Sequence, residues 1–318
     1  MKNNRRGYVL VMTLGLLMLA ATLLVTIGRA STARVLAARI EQRELQRRWA
    51  VVSCRNAVLP FAGDILARQE ALQNRPVPGY RATITLGDQR YALLVSDEQA
   101  KANVNLLLER SDKSRAEARI RETLSGSGLG NSVLLRPEPR VHAEVVPASV
   151  AGQPPQPVDL PNWMSGFGQV FTNVGPERLL TGGPLAPAGQ LTCWGNGAIN
   201  LMRVSEPALR VVGTPALTTI EADRLIDARN RAFAPRNVKS AATATVGATP
   251  PAANLDVVAN LLSQARINPK VRLDLALTST STCYSLWIIR QDGQRGDYRL
   301  FVSDQSRPQS PRVDSFVW

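Results

Sequence analysis

From Tyr8 to Gly28 the chain carries no charge at all: YVLVMTLGLLMLAATLLVTIG. As a helix rising about 1.5 Å per residue, this run is roughly 30 Å long, enough to cross the hydrocarbon core of a bilayer. The pattern then changes but does not break. Between Arg29 and Leu59 there is no Gly or Pro, and Val35, Leu36, Ile40, Leu45, Trp49 and Val52 return at helical intervals among charged neighbours. Pro60 and Gly63 interrupt it. The pattern predicts one helix over residues 8–60, apolar first and amphipathic second, on the order of 75 Å long.

Beyond it, a short helical piece over Phe61–Gln73 leads to the turn Arg75-Pro-Val-Pro-Gly79. Two strands follow, YRATITL from Tyr80 and RYALLV from Arg90, joined at Gly87-Asp88 as a β-hairpin. Next come Asp97-Glu98-Gln-Ala-Lys101-Ala-Asn103-Val-Asn105 and, later, a similar segment, Gly195-Asn-Gly197-Ala-Ile199-Asn200-Leu201. Each precedes a helical stretch, over 111–124 and 206–212, so the two read as an internal repeat. In the second, Leu209, Val212, Leu217, Ile220, Leu225 and Ile226 flank a Gly-Thr-Pro turn, the pattern of a helix-hairpin-helix. Arg136–Pro161 and Ala234–Asn254, rich in Pro or in Ala, Thr and Pro, read as loops or insertions. A last helix over Leu255–Ala265 precedes a closing hairpin, CYSLWIIR and YRLFVS, joined through Asp292–Gly296. The class is α+β.

Charge orients the chain. Lys2, Arg5 and Arg6 precede the apolar run, and the positive-inside rule keeps this tip in the cytoplasm. Arg29, Arg34 and Arg39 lie just past the run and blur that asymmetry. A cleaved secretory signal fits poorly: Gly28-Arg29-Ala30 is a weak cleavage site, and the helical pattern runs through it. The net charge of +13 comes almost wholly from Arg, with Lys only at positions 2, 101, 113, 239 and 270. These charges are dispersed rather than gathered into a stripe with aromatics, so no nucleic-acid partner is expected.

The chemical inventory is thin. The one histidine, His142, has no Ser or Cys partner suggested by spacing, and HExxH, GxSxG, SxxK and Walker signatures do not occur. The expectation is a protein that is not an enzyme. Ser125–Gly130 follows a helix rather than a strand and reads as a C-cap and turn. The neighbouring Asp97 and Glu98 are assigned to capping or loop hydrogen bonds. Cys54, Cys193 and Cys283 show no CxxC spacing; they fit either buried thiols or one bridge, Cys193–Cys283, with one thiol left over. No metal ligand set and no cofactor is predicted.

A short basic leader ending in Arg6-Gly7, followed at once by a long helix that is apolar and then amphipathic, resembles type IV pilins and pseudopilins. The resemblance implies a prepilin peptidase site, with cleavage after Gly7 and a methylated mature start at Tyr8. Most pilins carry a Glu at the fifth mature position, where this chain has Met12. The segment Asp97, Glu98, Lys101, Asn103 and Asn105, with Asn200 in the second copy, is similar to one in K-type minor pseudopilins of the type II secretion system (the general secretion pathway). It departs from their pattern in having Ala100 where the family often has Gly. That family implies a leader over 1–7, a transmembrane and spine helix over 8–60, and a pilin head begun by 61–96. An inserted helical SAM-like region over 97–270 and a C-terminal hairpin over 271–318, returning to the head sheet, complete it. It implies a place at the pseudopilus tip, priming assembly and supporting export of folded proteins. Its expected partners are the I- and J-type minor pseudopilins, the major pseudopilin, the prepilin peptidase and the inner-membrane secretion platform, with the bulk of the chain in the periplasm. Some such pseudopilins bind calcium, for which the sparse acids here offer no D-x-D-x-D-G loop. The alternative is a membrane-anchored DNA-uptake protein using the helix-hairpin-helix, with Arg210 and Arg224 as its contacts.

Overall fold

The computed structural model describes residues 4–138, 163–183, 186–233, 254–291, 296–305 and 312–317. The chain forms two compact units, Met1–Ser53 and Cys54–Trp318.

Helix α1 runs over Asn4–Val58 and supplies the described residues of the first unit. Its most apolar window has a mean hydropathy of 2.5, and the helix is long and apolar enough to cross a membrane. The few polar side chains in the run are satisfied locally. The hydroxyls of Thr13, Thr22 and Thr26 donate to the carbonyls of Leu10, Leu19 and Leu23 at 2.8–2.9 Å, and just past the run Thr32 does the same to Gly28. Such back-bonding removes the cost of a bare hydroxyl in an apolar medium.

The second unit is built on a five-stranded antiparallel sheet. A 3-10 turn at Leu59–Phe61, with Pro60 inside it, separates α1 from α2 (Ala62–Gln73). Strands β1 (Gly79–Leu86) and β2 (Gln89–Asp97) form the expected hairpin, turning at Gly87 with a positive φ of 64°. The chain then leaves the sheet at Asp97 and returns at Cys283.

Two helical modules fill that gap, each closed by a two-residue parallel strand pair. In the first, β3 (Ala102–Asn103) leads into α3 (Val104–Arg110) and α4 (Lys113–Thr123). After α5 (Pro176–Leu180) and α6 (Pro187–Gln190), β4 (Leu191–Thr192) pairs with β3. In the second, β5 (Ile199–Asn200) leads into α7 (Glu206–Gly213), α8 (Thr219–Phe233), α9 (Asn254–Gln264) and α10 (Val271–Asp274). Strand β6 (Leu277–Thr278) then pairs with β5. The segment Val271–Thr278 therefore closes the second module, and the head sheet resumes later than the boundary expected at residue 271.

The sheet is completed by β7 (Cys283–Arg290), β8 (Tyr298–Asp304) and β9 (Arg312–Val317), in the order β1-β2-β7-β8-β9. The pattern predicted only a closing hairpin; β9 is a third strand, in register from Arg299↔Val317 to Asp304↔Arg312. Its six residues follow the Pro-containing stretch SRPQSP, and they carry little pattern of their own to declare a strand.

Alternation along β7 divides the cores. Cys283, Trp287 and, from β8, Leu300 and Val302 join a continuous apolar cluster with the modules, including Val104, Leu107, Ile120, Leu209, Leu225 and Leu262. Trp194 joins the first module to the sheet, standing edge-on to Phe167 at 5.1 Å and lying 5.4 Å from Phe316 of β9. On the other face, Tyr284 reaches α2, where a Cβ on Gly63 would stand 2.8 Å from its hydroxyl. Aromatics are few, and the buried side chains are mainly Leu, Val, Ile and Ala, each large one stabilising the fold by about 1.5–3 kcal/mol.

Candidate functional site

The repeated Asn segments meet at one place: the point where the chain leaves β2, passes between the two modules and returns on β7. Asp97 ends β2 and caps the 3-10 turn Glu98–Ala100, its Oδ1 accepting the Gln99 amide at 3.0 Å. Its Oδ2 collects three donors from distant segments: Ser281 Oγ at 2.6 Å, Asn200 Nδ2 at 2.9 Å and Arg203 Nη1 at 3.4 Å. Arg203 turns its other edge to α2, with Nε and Nη2 bonding both oxygens of Glu70 at 2.7 and 2.9 Å. This is a bidentate guanidinium–carboxylate fork, the geometry that arginine fits best.

Glu98 makes a second buried ion pair, one turn away. Its Oε1 accepts from Lys101 Nζ and from Ser285 Oγ of β7, and both charged side chains are buried. Its Oε2 is buried without a partner. Gln99 bridges outward, donating to Asn196 at 2.8 Å and accepting the Thr282 amide at 2.7 Å. Gly195 and Gly197 shape that loop with φ of 84° and 79°, a region side-chain-bearing residues avoid.

The asparagines work as paired cap and strut. Asn103 caps α3 through the amides of Asn105 and Leu106 and donates to the Trp194 carbonyl at 2.9 Å. Asn105 bonds Met164 through both its amide and its carbonyl and also donates to the Cys193 carbonyl at 2.8 Å. Asn200 is the counterpart in the second module, capping the Met202 amide at 3.0 Å while donating to Asp97 and Ser281. All six residues singled out from the repeat are buried, and all take part in this network. Asp97 has its expected capping role; Glu98 instead forms a buried ion pair.

Burial sets the electrostatics. It raises the Asp97 carboxyl above its ordinary value, against the opposing pull of Ser281, Arg203, Asn200 and Gln99. Burial acts to lower Arg203, but the hydrogen bonds and charge of Glu70, with the charge of Asp97, hold it higher than usual. Burial, reinforced by the Glu98 charge, pushes up both the Cys193 and Cys283 thiols. All three cysteines are free and buried, so the thiol alternative holds and the Cys193–Cys283 bridge is not formed. Two carboxylates that already hold a guanidinium and an ammonium are poor cation ligands. Among the described residues no three His, Cys, Asp or Glu converge as a metal site. What the arrangement does chemically is tie α2, β2, β7 and both modules together through ionic and polar bonds.

Sequence reasoning missed Glu70, Arg203, Ser281, Ser285 and Asn196. Arg203 and Glu70 lie 133 positions apart in sequence, and neither stands in a patterned motif. The run Thr278–Thr282 was a visible polar signal between two apolar stretches.

Helices α7 and α8 flank the Gly-Thr-Pro turn read as a helix-hairpin-helix. Thr218 and Glu221 make a reciprocal capping box at the start of α8. The turn carbonyls are occupied from the first module: Arg110 donates to Val212 and Arg119 to Thr214, at 3.5 and 3.1 Å. Arg210 is held by Glu206 at 2.6 Å and Asp223 at 2.8 Å. At the other end of the chain, Gly7 lies within α1, and Tyr8 is exposed on it. His142 lies outside the described residues, as do 139–161 and 234–253 of the two stretches read as loops.

The sequence matches no protein-family model and no curated protein. Among solved structures, the chain is similar to one chain of the GspK-GspI-GspJ complex from the Type 2 Secretion System of enterotoxigenic Escherichia coli. That match has 14% identity and a TM-score of 0.43, covering 88% of this chain and 99% of the other.

Proposed function

We propose that this chain is a K-type minor pseudopilin of a type II secretion system. It is made as a prepilin in the inner membrane, cleaved after Gly7 and methylated on Tyr8, with its bulk in the periplasm. There it joins I- and J-type partners at the tip of the pseudopilus, primes assembly of the major pseudopilin and supports export of folded proteins. The prepilin peptidase and the inner-membrane platform are its processing and assembly partners. The observation that carries this reading is the apolar helix beginning directly behind a short basic leader, with Met12 where a stacking pilin carries Glu. A subunit with no neighbour above it has no terminal ammonium to neutralise, so a buried carboxylate there would be a cost without return.

The DNA-binding alternative loses ground on the hairpin itself, where Arg210 is already paired to two carboxylates. The test of the main reading is mass spectrometry of the mature N-terminus. Wild type should begin at methylated Tyr8, and Gly7→Leu should keep Met1 onward. Unchanged processing of the variant, or a mature start elsewhere, refutes the reading.

A further inference from the structure

The arginines just past the apolar run do not fit the orientation logic of the leader, and their placement asks for a partner. The first acidic residue of the chain is Glu41, so nothing anionic lies on the helix between the run and that point. Glu44 neutralises the arginines farther along, bonding Arg47 and Arg48 at 2.8 and 3.2 Å. Arg29, Arg34 and Arg39 are exposed and have no such neighbour.

Their spacing is the second observation. At about 100° per residue, steps of five residues turn the helix by about 140° each time. The three side chains therefore point to three sides of α1 rather than along one stripe. Measured from Gly28 they stand about 2, 9 and 16 Å farther along the helix axis. The headgroup layer is roughly 5–7 Å deep on each side of the hydrocarbon core. Arg29 stands inside it, Arg34 reaches back to it along its own stem, and Arg39 sits beyond it by about a Debye length.

We propose that Arg29 and Arg34 bind anionic phospholipid headgroups of the leaflet the helix enters on leaving the membrane, with Arg39 completing the collar by screened attraction from the third side. This rests on the reading of α1 as a membrane span. A collar, unlike a stripe, is suited to a ligand that surrounds the helix. Guanidinium binds phosphate through paired donors, and the adjoining apolar run places the collar where such phosphates lie. The collar fixes the depth of the anchor and holds the spine by lipid contacts that must be released when the subunit is drawn out of the membrane.

The test uses the full chain in nanodiscs of phosphatidylcholine with a minority of phosphatidylglycerol, followed by detergent extraction and mass spectrometry of the lipids that stay bound. Wild type should retain phosphatidylglycerol above its bulk share. Arg29→Gln and Arg34→Gln should each lower that enrichment about fivefold, and Arg39→Gln by less. Arg→Lys at the same positions should keep most of it. The exposed control Arg68→Gln/Arg75→Gln/Arg81→Gln should leave it unchanged, and the leader is the same throughout. Incorporation without enrichment, or a triple collar variant that retains wild-type enrichment, overturns the proposal alone. Failure to enter the bilayer at all overturns the span reading and the collar with it.

Discussion

Replacing Arg203 with Met is the sharpest probe of the buried network. The side chain is 10% exposed, and the carboxylates it joins, Glu70 and Asp97, are 14% and 0% exposed. Methionine fills a similar volume, so the main change is loss of the cation. Asp97 would keep Ser281, Asn200 and the Gln99 amide. Glu70 would lose both of its forked bonds and keep only the Val77 amide at 3.3 Å. Stranding one partner of a buried pair costs about 3–5 kcal/mol, and the solvent reaching Glu70 favours the low end, about 3 kcal/mol. For a domain of this size that is a fall in Tm of about 6–12 °C. Urea unfolding of the full chain in detergent, followed by tryptophan fluorescence with Trp287 as a buried reporter, measures it. Adding Glu70→Gln to Arg203→Met should recover about 1 kcal/mol or more, because a neutral amide is cheaper to leave unpaired than a carboxylate. The exposed Arg210→Ala should cost less than about 1 kcal/mol. If Arg203→Met costs no more than Arg210→Ala, or if the two network substitutions simply add, the fork is not holding the modules to the sheet.

Four further outcomes follow from the same geometry. Asn103→Ala should cost about 1–3 kcal/mol in urea unfolding, since it removes the α3 cap and orphans the Trp194 carbonyl. Gly63→Ala should destabilise, although Ala favours helix by about 1 kcal/mol, because its methyl meets the Tyr284 hydroxyl; a stabilised variant would refute the close contact. A thiol reagent should find no reactive cysteine in the native protein and three in denaturant, whereas a single thiol in denaturant would reveal a bridge. Asp97 titrates above its unfolded value of 3.8, so its folded form holds a proton more tightly. Its stability contribution is thus fully present below 3.8 and is lost as pH rises through the folded pKa. Wild type should therefore gain on Asp97→Asn as pH falls from neutral, and a difference that is flat in pH would contradict the burial argument.

The helices and the first hairpin were legible because their signals are local. The uncharged run of 8–28, the Gly87-Asp88 turn and the Gly-Thr-Pro hairpin each declare themselves within one window of sequence. The repeated Asn residues were legible as a duplication, and the structure shows why both copies need them: each caps the chain entering its module and bonds a carbonyl or carboxylate of another segment. Arg203–Glu70 was not legible, because a pair formed across two modules and a helix has no spacing rule. Strand β9 was missed for a different reason: its pairing energy comes from β8, and its own six residues carry little pattern.

The two-residue clips β3–β4 and β5–β6 bear on how this chain can change. Each places the first and last residues of a long excursion side by side, so the excursion is a closed bight hung from a fixed knot. Lengthening the bight costs only the slow logarithmic growth of loop entropy and leaves the mounting points where they are. A peptide tag spliced between α4 and α5, or between α8 and α9, should therefore leave the sheet registers untouched.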